Sequence, residues 1–98
     1  MPGAVLQVPA GERVPLWESC TIGRTKANDV ALPHPKVSRR HAIIESSSRQ
    51  VFRLTDLGSH GGVKVNGARI QKPVLLHDQD RIEVGPFELV MSFLAPSE

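Results

Sequence analysis

Glycine and proline, eight of each in 98 residues, punctuate this chain and leave mainly short segments between them. The segments are rich in Val, Ile, Leu and Phe, and none carries a convincing helical period. Short strands set off by turn residues point to an all-β sandwich or barrel. Strands are expected at Ala4 to Val8, Glu12 to Leu16, Ser19 to Ile22, Val30 to Leu32 and His41 to Glu45. Ser46-Ser47-Ser48 reads as a hairpin connection. In Val51 to Asp56, Phe52 and Leu54 alternate with Arg53 and Thr55, the pattern of a half-buried strand. Val63 to Val65 and Ala68 to Ile70 flank Asn66-Gly67, the dipeptide favoured in type I′ hairpin turns. His77 to Asp80 reads as a polar turn. Arg81 to Val84 and Phe87 to Leu94 make a last hairpin around Gly85-Pro86, with Phe87, Leu89, Met91 and Phe93 on one face. The tail from Ala95 to Glu98 is expected to fray.

The polar residues that could do chemistry fall in three connections. These are Gly23-Arg24, then Val37-Ser38-Arg39-Arg40-His41, then Gly58-Ser59-His60-Gly61-Gly62. Sandwich loops gather at the two ends of the sheets. A guanidinium, a serine hydroxyl and glycine amides are all donors, and arginine can grip a phosphate with two parallel bonds. The three loops together contain the parts of an anion pocket.

Composition narrows the function classes. Hydrophobic residues at 40 % and charged residues at 22 % suit a globular fold rather than a disordered tail. The chain is read as one domain over 1–98, core about 4–94, and as a module of a larger protein. Cys20 is the sole cysteine, so no internal disulfide forms, which fits a reducing, intracellular compartment. Cys20 itself reads as a small buried hydrophobe. The apolar start breaks at Gln7 and Pro9 and reads as neither signal peptide nor membrane span.

Read in order, Gly23-Arg24, Ser38-Arg39-Arg40-His41, Asp56-Leu57-Gly58-Ser59 and Val65-Asn66-Gly67 resemble the motifs of forkhead-associated (FHA) domains. The stretch Leu76 to Gly85 is similar to that family's Leu-x-x-Gly-Asp-x-Ile-x-x-Gly run, with Gln79 where glycine is common. The resemblance covers Val5 to Phe93. It implies a two-sheet antiparallel β-sandwich that binds phosphothreonine peptides through loops at one end. By the resemblance, Arg24 and Ser38 hold the phosphate and Arg39 contacts it through backbone or side chain. Gly23, His41, Ser59, Asn66 and Gly67 support the loops. Lys36, if it faces the peptide, favours an acidic residue C-terminal to the phosphothreonine.

The third loop departs from the family. Its usual run is Ser-Thr-Asn-Gly-Thr, whereas Ser59-His60-Gly61-Gly62-Val63 stands here. Gly61 cannot supply the amide side chain that holds the peptide backbone. His60 offers a replacement phosphate contact, made best by a protonated ring below about pH 6.5. Weaker or altered peptide binding is expected.

Other readings use the same residues. Ser38, His41 and Asp56 are a possible nucleophile, base and orienter, but no nucleophile elbow accompanies them, and the chain is read as no enzyme. Arg24, Lys26, Lys36, Arg39 and Arg40 are a possible nucleic-acid patch. A net charge of +2 and 4 % aromatics are too little for that, so no nucleic-acid or membrane partner is expected. Arg40 reads as a solvated edge, and Arg39 fits either role. His34, His60 and His77 lack metal-ligand spacing, so neither metal nor cofactor is expected. Trp17 reads as packing on the surface. The remaining alternative is an FHA-fold scaffold that binds an unphosphorylated partner or itself; otherwise the isolated domain reads as a monomer.

Overall fold

The computed structural model describes residues 2–94 and contains strands and turns with no helix among them. In chain order the strands are β1 (Ala4–Gln7), β2 (Arg13–Leu16), β3 (Ser19–Gly23), β4 (Val30–Ala31), β5 (Ala42–Ser48) and β6 (Val51–Asp56). They continue as β7 (Val63–Val65), β8 (Ala68–Arg69), β9 (Val74–Leu75), β10 (Arg81–Val84) and β11 (Phe87–Phe93). Two sheets form the sandwich: six strands in the order β2-β1-β11-β10-β7-β8, and five in the order β4-β3-β5-β6-β9. All pairings are antiparallel except β3 with β4, which run parallel. The fold is therefore an all-β sandwich, with one parallel pair at an edge of the smaller sheet.

Alternation along the strands builds the core. Leu6, Ile22, Ile44, Leu54, Ile82, Leu89 and Met91 are fully buried between the sheets. Each such side chain contributes about 1.5–3 kcal/mol relative to remaining exposed. Leu89 and Met91 are sealed, whereas Phe87 and Phe93 on the same face are partly buried against the core. Pro15 is tolerated in β2 because β2 pairs only with β1 and lies at an edge. Asn66 (φ 51°) and Gly67 (φ 87°) both take the left-handed values of a type I′ turn.

The strand reading needs three corrections. The three serines are no hairpin loop: β5 runs through Ser48, with its register to β6 shifting between Ser46 and Ser48. The Ser46 hydroxyl donates to the Ser48 carbonyl at 2.6 Å, so a local side-chain bond shapes that irregularity. His41 precedes β5 but is bonded like a strand residue, its amide to Ile22 and its carbonyl to Leu57. The short strand β9 at Val74–Leu75 went unpredicted, because two residues after a proline carry no alternation to read. The expected fraying of Ala95 to Glu98 lies outside the described residues.

Register decides which end of the sandwich holds the site. Val84 of β10 pairs with Val63 of β7, and Ile82 pairs with Val65. The loop before Val63 and the turn at Gly85-Pro86 therefore share one end. The Asn66-Gly67 turn lies at the other.

Candidate functional site

At the Gly85 end, the connections β3–β4, β4–β5 and β6–β7 meet the β10–β11 turn around an open groove of about 570 Å³. Arg24, Pro35, Lys36, Val37, Ser38, His60, Gly61, Gly62, Lys64, Glu83 and Gly85 line it. Each loop is fixed by hydrogen bonds or buried side chains of its own.

The first loop is held by its backbone. The Arg24 amide donates to the Ser38 carbonyl at 3.0 Å, and Leu32 returns an amide to the Gly23 carbonyl at 2.8 Å. Gly23 is required by close approach: a Cβ there would run into the Arg39 carbonyl oxygen and the Asn28 side chain. The Asn28 amide bridges loops by donating to the carbonyls of Thr25 (3.0 Å) and Arg39 (2.8 Å).

The second loop is plugged into the core by Val37, which is fully buried, with its methyl pressed against Gly85. The His34 ring meets Phe87 edge-on at 5.9 Å, and its Nδ1 accepts the Lys36 amide at 3.0 Å. Ser38 is thereby placed on a loop anchored on both sides.

His41 joins the second loop to the third. Fully buried, it accepts the Ser38 amide at Nδ1 (3.0 Å), while Nε2 stands 2.8 Å from the Gly62 carbonyl. An accepting Nδ1 requires the hydrogen on Nε2, which then donates to Gly62. The third loop is completed by Ser59, whose amide donates to Asp56 at 2.8 Å and whose hydroxyl accepts the Gly62 amide at 3.0 Å. Gly62 has φ 77°, and the Arg69 guanidinium packs where its Cβ would be.

These bonds dissolve the Ser38–His41–Asp56 triad. His41 contacts the Ser38 amide, not its hydroxyl, and Asp56 serves the Ser59 amide. No proton relay connects the three.

Of the sequence-predicted ligands, Arg24, Ser38, His60, Gly61 and Lys36 come together on the groove. Arg39 does not line it; the Arg39 carbonyl receives Asn28 and its side chain is exposed. Asn66 and Gly67 also lie away from the groove. Asn66 donates to Asp80 at 2.8 Å and accepts the Arg81 amide at 3.0 Å, bracing the turn at the opposite end. Lys64 and Glu83 were missed, because a charged residue in a short strand reads as a solvated face. No group of three metal-capable side chains assembles among the described residues, and no helix there could cross a membrane. Trp17 is 55 % exposed.

Electrostatically the groove is cationic. Arg24, Lys36 and Lys64 line it, and none forms an ion pair among the described residues, where His77–Asp80 is the single such contact. Among the described residues, Glu83 is the only carboxylate on its wall. Three cations outside any ion pair and the Ser38 hydroxyl give the groove a surface suited to an anion.

Comparison with known proteins agrees with this geometry. The chain is 35 % identical to the transcriptional regulatory protein EmbR of Mycobacterium tuberculosis over 89 residues, which is 90 % of this chain but 23 % of EmbR. It therefore spans about a quarter of that relative. The structure of Mycobacterium tuberculosis EmbR in complex with a low-affinity phosphopeptide superposes with a TM-score of 0.88 at 33 % identity, covering 100 % of this chain and 26 % of that one. A second structure, from work on phosphothreonine-dependent FHA domain interactions, gives a TM-score of 0.87 at 34 % identity and covers 95 % and 98 % of the two chains. The FHA domain model matches residues 20–85, from β3 to the β10–β11 turn, and so takes in all four groove-forming connections. The chain belongs to the FHA domain family.

Proposed function

We propose that this domain is a non-enzymatic reader of threonine-phosphorylated protein segments, serving as a recognition module within a larger protein. Arg24 and Ser38 hold the phosphate, His60 adds a contact from the third loop, and Lys36 favours an acidic residue C-terminal to the phosphothreonine. The observation that carries this reading is the convergence of an unpaired Arg24 guanidinium and the Ser38 hydroxyl on one groove. Charge-assisted bonds from such donors contribute about 1.5–3 kcal/mol each. The EmbR structure, which holds a phosphopeptide, supports the assignment from outside this chain. Gly61 leaves the peptide backbone without a side-chain amide, so affinity is lower than a family asparagine would give.

The test is a degenerate peptide library with a fixed central threonine, phosphothreonine or phosphoserine. Phosphothreonine peptides are expected to be retained and the other two to wash through. Equal retention of unphosphorylated threonine peptides would instead establish the phosphorylation-independent scaffold.

A further inference from the structure

Glu83 is out of place in a groove built for an anion. It sits on β10 directly opposite Lys64 of β7, with both residues on the groove wall. Facing positions on neighbouring antiparallel strands normally let opposite charges meet. Here they do not: no ion pair joins them within 4.0 Å, and the Glu83 carboxylate accepts no hydrogen bond from any described residue. Glu83 is also half-buried, so water screens it incompletely.

A carboxylate so placed repels phosphate and weakens binding of any ligand that presents negative charge alone. Lys64, outside ion-pair distance, compensates it incompletely, and a ligand that brings a cation to it supplies the rest. Discrimination of this kind comes from penalising the wrong ligand as much as from attracting the right one. The wall also has a built-in division of labour. Arg24 and Ser38 belong to connections within the five-stranded sheet and His60 to the crossover from β6 to β7, whereas Glu83 and Lys64 project from the six-stranded sheet. On the phosphopeptide reading, a peptide that reaches from the phosphate donors toward the six-stranded sheet meets Glu83.

We infer that Glu83 is a specificity-determining residue that selects peptides carrying a lysine or arginine near the phosphothreonine. The inference rests on the phosphopeptide reading and adds the charge of a flanking residue to it. Lys36, on the connection between β4 and β5, disfavours a cation on its own side of the groove, so the preference is placed at Glu83 rather than spread over the peptide.

The experiment scans one lysine through each flanking position of an alanine-based phosphothreonine peptide. Every peptide is titrated beside its unphosphorylated twin. Wild-type domain is expected to show one position at which lysine tightens binding about fivefold over alanine, the scale of a partly screened ion pair. Glu83→Gln, which keeps the side-chain shape, abolishes that gain, and Glu83→Lys transfers the preference to glutamate at the same position. Thermal melts of the variants confirm that they are folded. Phosphate-dependent binding with no lysine-preferring position, or with a preference unchanged in Glu83→Gln, overturns this inference and leaves the phosphothreonine reading intact. Twins that bind equally overturn both.

Discussion

The backbone amide of His60 donates to the Ser38 hydroxyl oxygen at 3.2 Å, joining two loops 22 residues apart in sequence. An oxygen that accepts from an amide keeps its own hydrogen for something else. The bond leaves the Ser38 hydroxyl hydrogen free to donate on the groove that Ser38 lines, and under the proposed reading a phosphate oxygen is its acceptor.

Ser38→Ala removes that donor while leaving the Ser38 backbone bonds to Arg24 and His41 in place. The His60 amide is exposed and turns to water. Affinity for a phosphothreonine peptide should fall about tenfold or more by calorimetric titration, with the melting temperature nearly unchanged. Ser38→Thr, which keeps the hydroxyl, should retain most of the binding.

Gly61→Asn restores the family's amide side chain, and the space for it exists. A Cβ at Gly61 meets only the Lys36 carbonyl, at 3.5 Å, an ordinary contact. The added hydrogen bond to the peptide backbone should tighten binding by about 1 kcal/mol, roughly fivefold. A variant that is folded but binds no better would show that this loop does not hold the peptide as its relatives do.

Gly23→Ala should be costly for a different reason. Its Cβ would collide with the Arg39 carbonyl oxygen and stand 2.6 Å from the Asn28 side-chain nitrogen. The backbone oxygen cannot swing aside as a side chain can, and overpacking of this kind costs about 1–3 kcal/mol. The urea midpoint should drop at unchanged slope, and peptide binding should weaken because the collision separates the first two loops.

How far the sequence could be read differs by element. The Asn66-Gly67 turn and the last hairpin were legible because turn chemistry and alternation are local. Gly23, Arg24, Ser38 and His41 were legible because they stand in a motif order. Glu83 and Lys64 were not: only the β7–β10 register brings them to the groove, and register is a property of two distant segments. The same is true of Asn28, whose role rests on the Arg39 carbonyl 11 residues away. Asn66 carried the opposite risk, since its motif was plain but its bonds to Asp80 and Arg81 lie at the far end of the sandwich.

Cys20 gives a prediction in pH. Burial, with a smaller push from the Asp29 charge, raises its thiol from an ordinary 9.0 to about 12. Below pH 9.0 the thiol is protonated in folded and unfolded chains alike, and stability does not depend on it. Above that value the unfolded thiol ionises first, so stability falls as pH rises toward about 12. The folded domain should resist alkylation at pH 8–9 and react only at the rate at which it unfolds. Cys20→Ala should flatten the alkaline loss of stability seen in urea titrations.

The central claim is that Arg24 reads a phosphate. Its guanidinium lines the groove with no bond to any described side chain, so Arg24→Ala should leave the fold intact. The most direct measurement is the affinity ratio between one phosphothreonine peptide and its unphosphorylated twin, in wild type and in Arg24→Ala. The wild-type ratio should be about 100 or more, and the variant should lose about 2 kcal/mol, roughly thirtyfold, from the phosphorylated arm alone. A wild-type ratio near one, or a ratio that survives the loss of Arg24, would contradict the account.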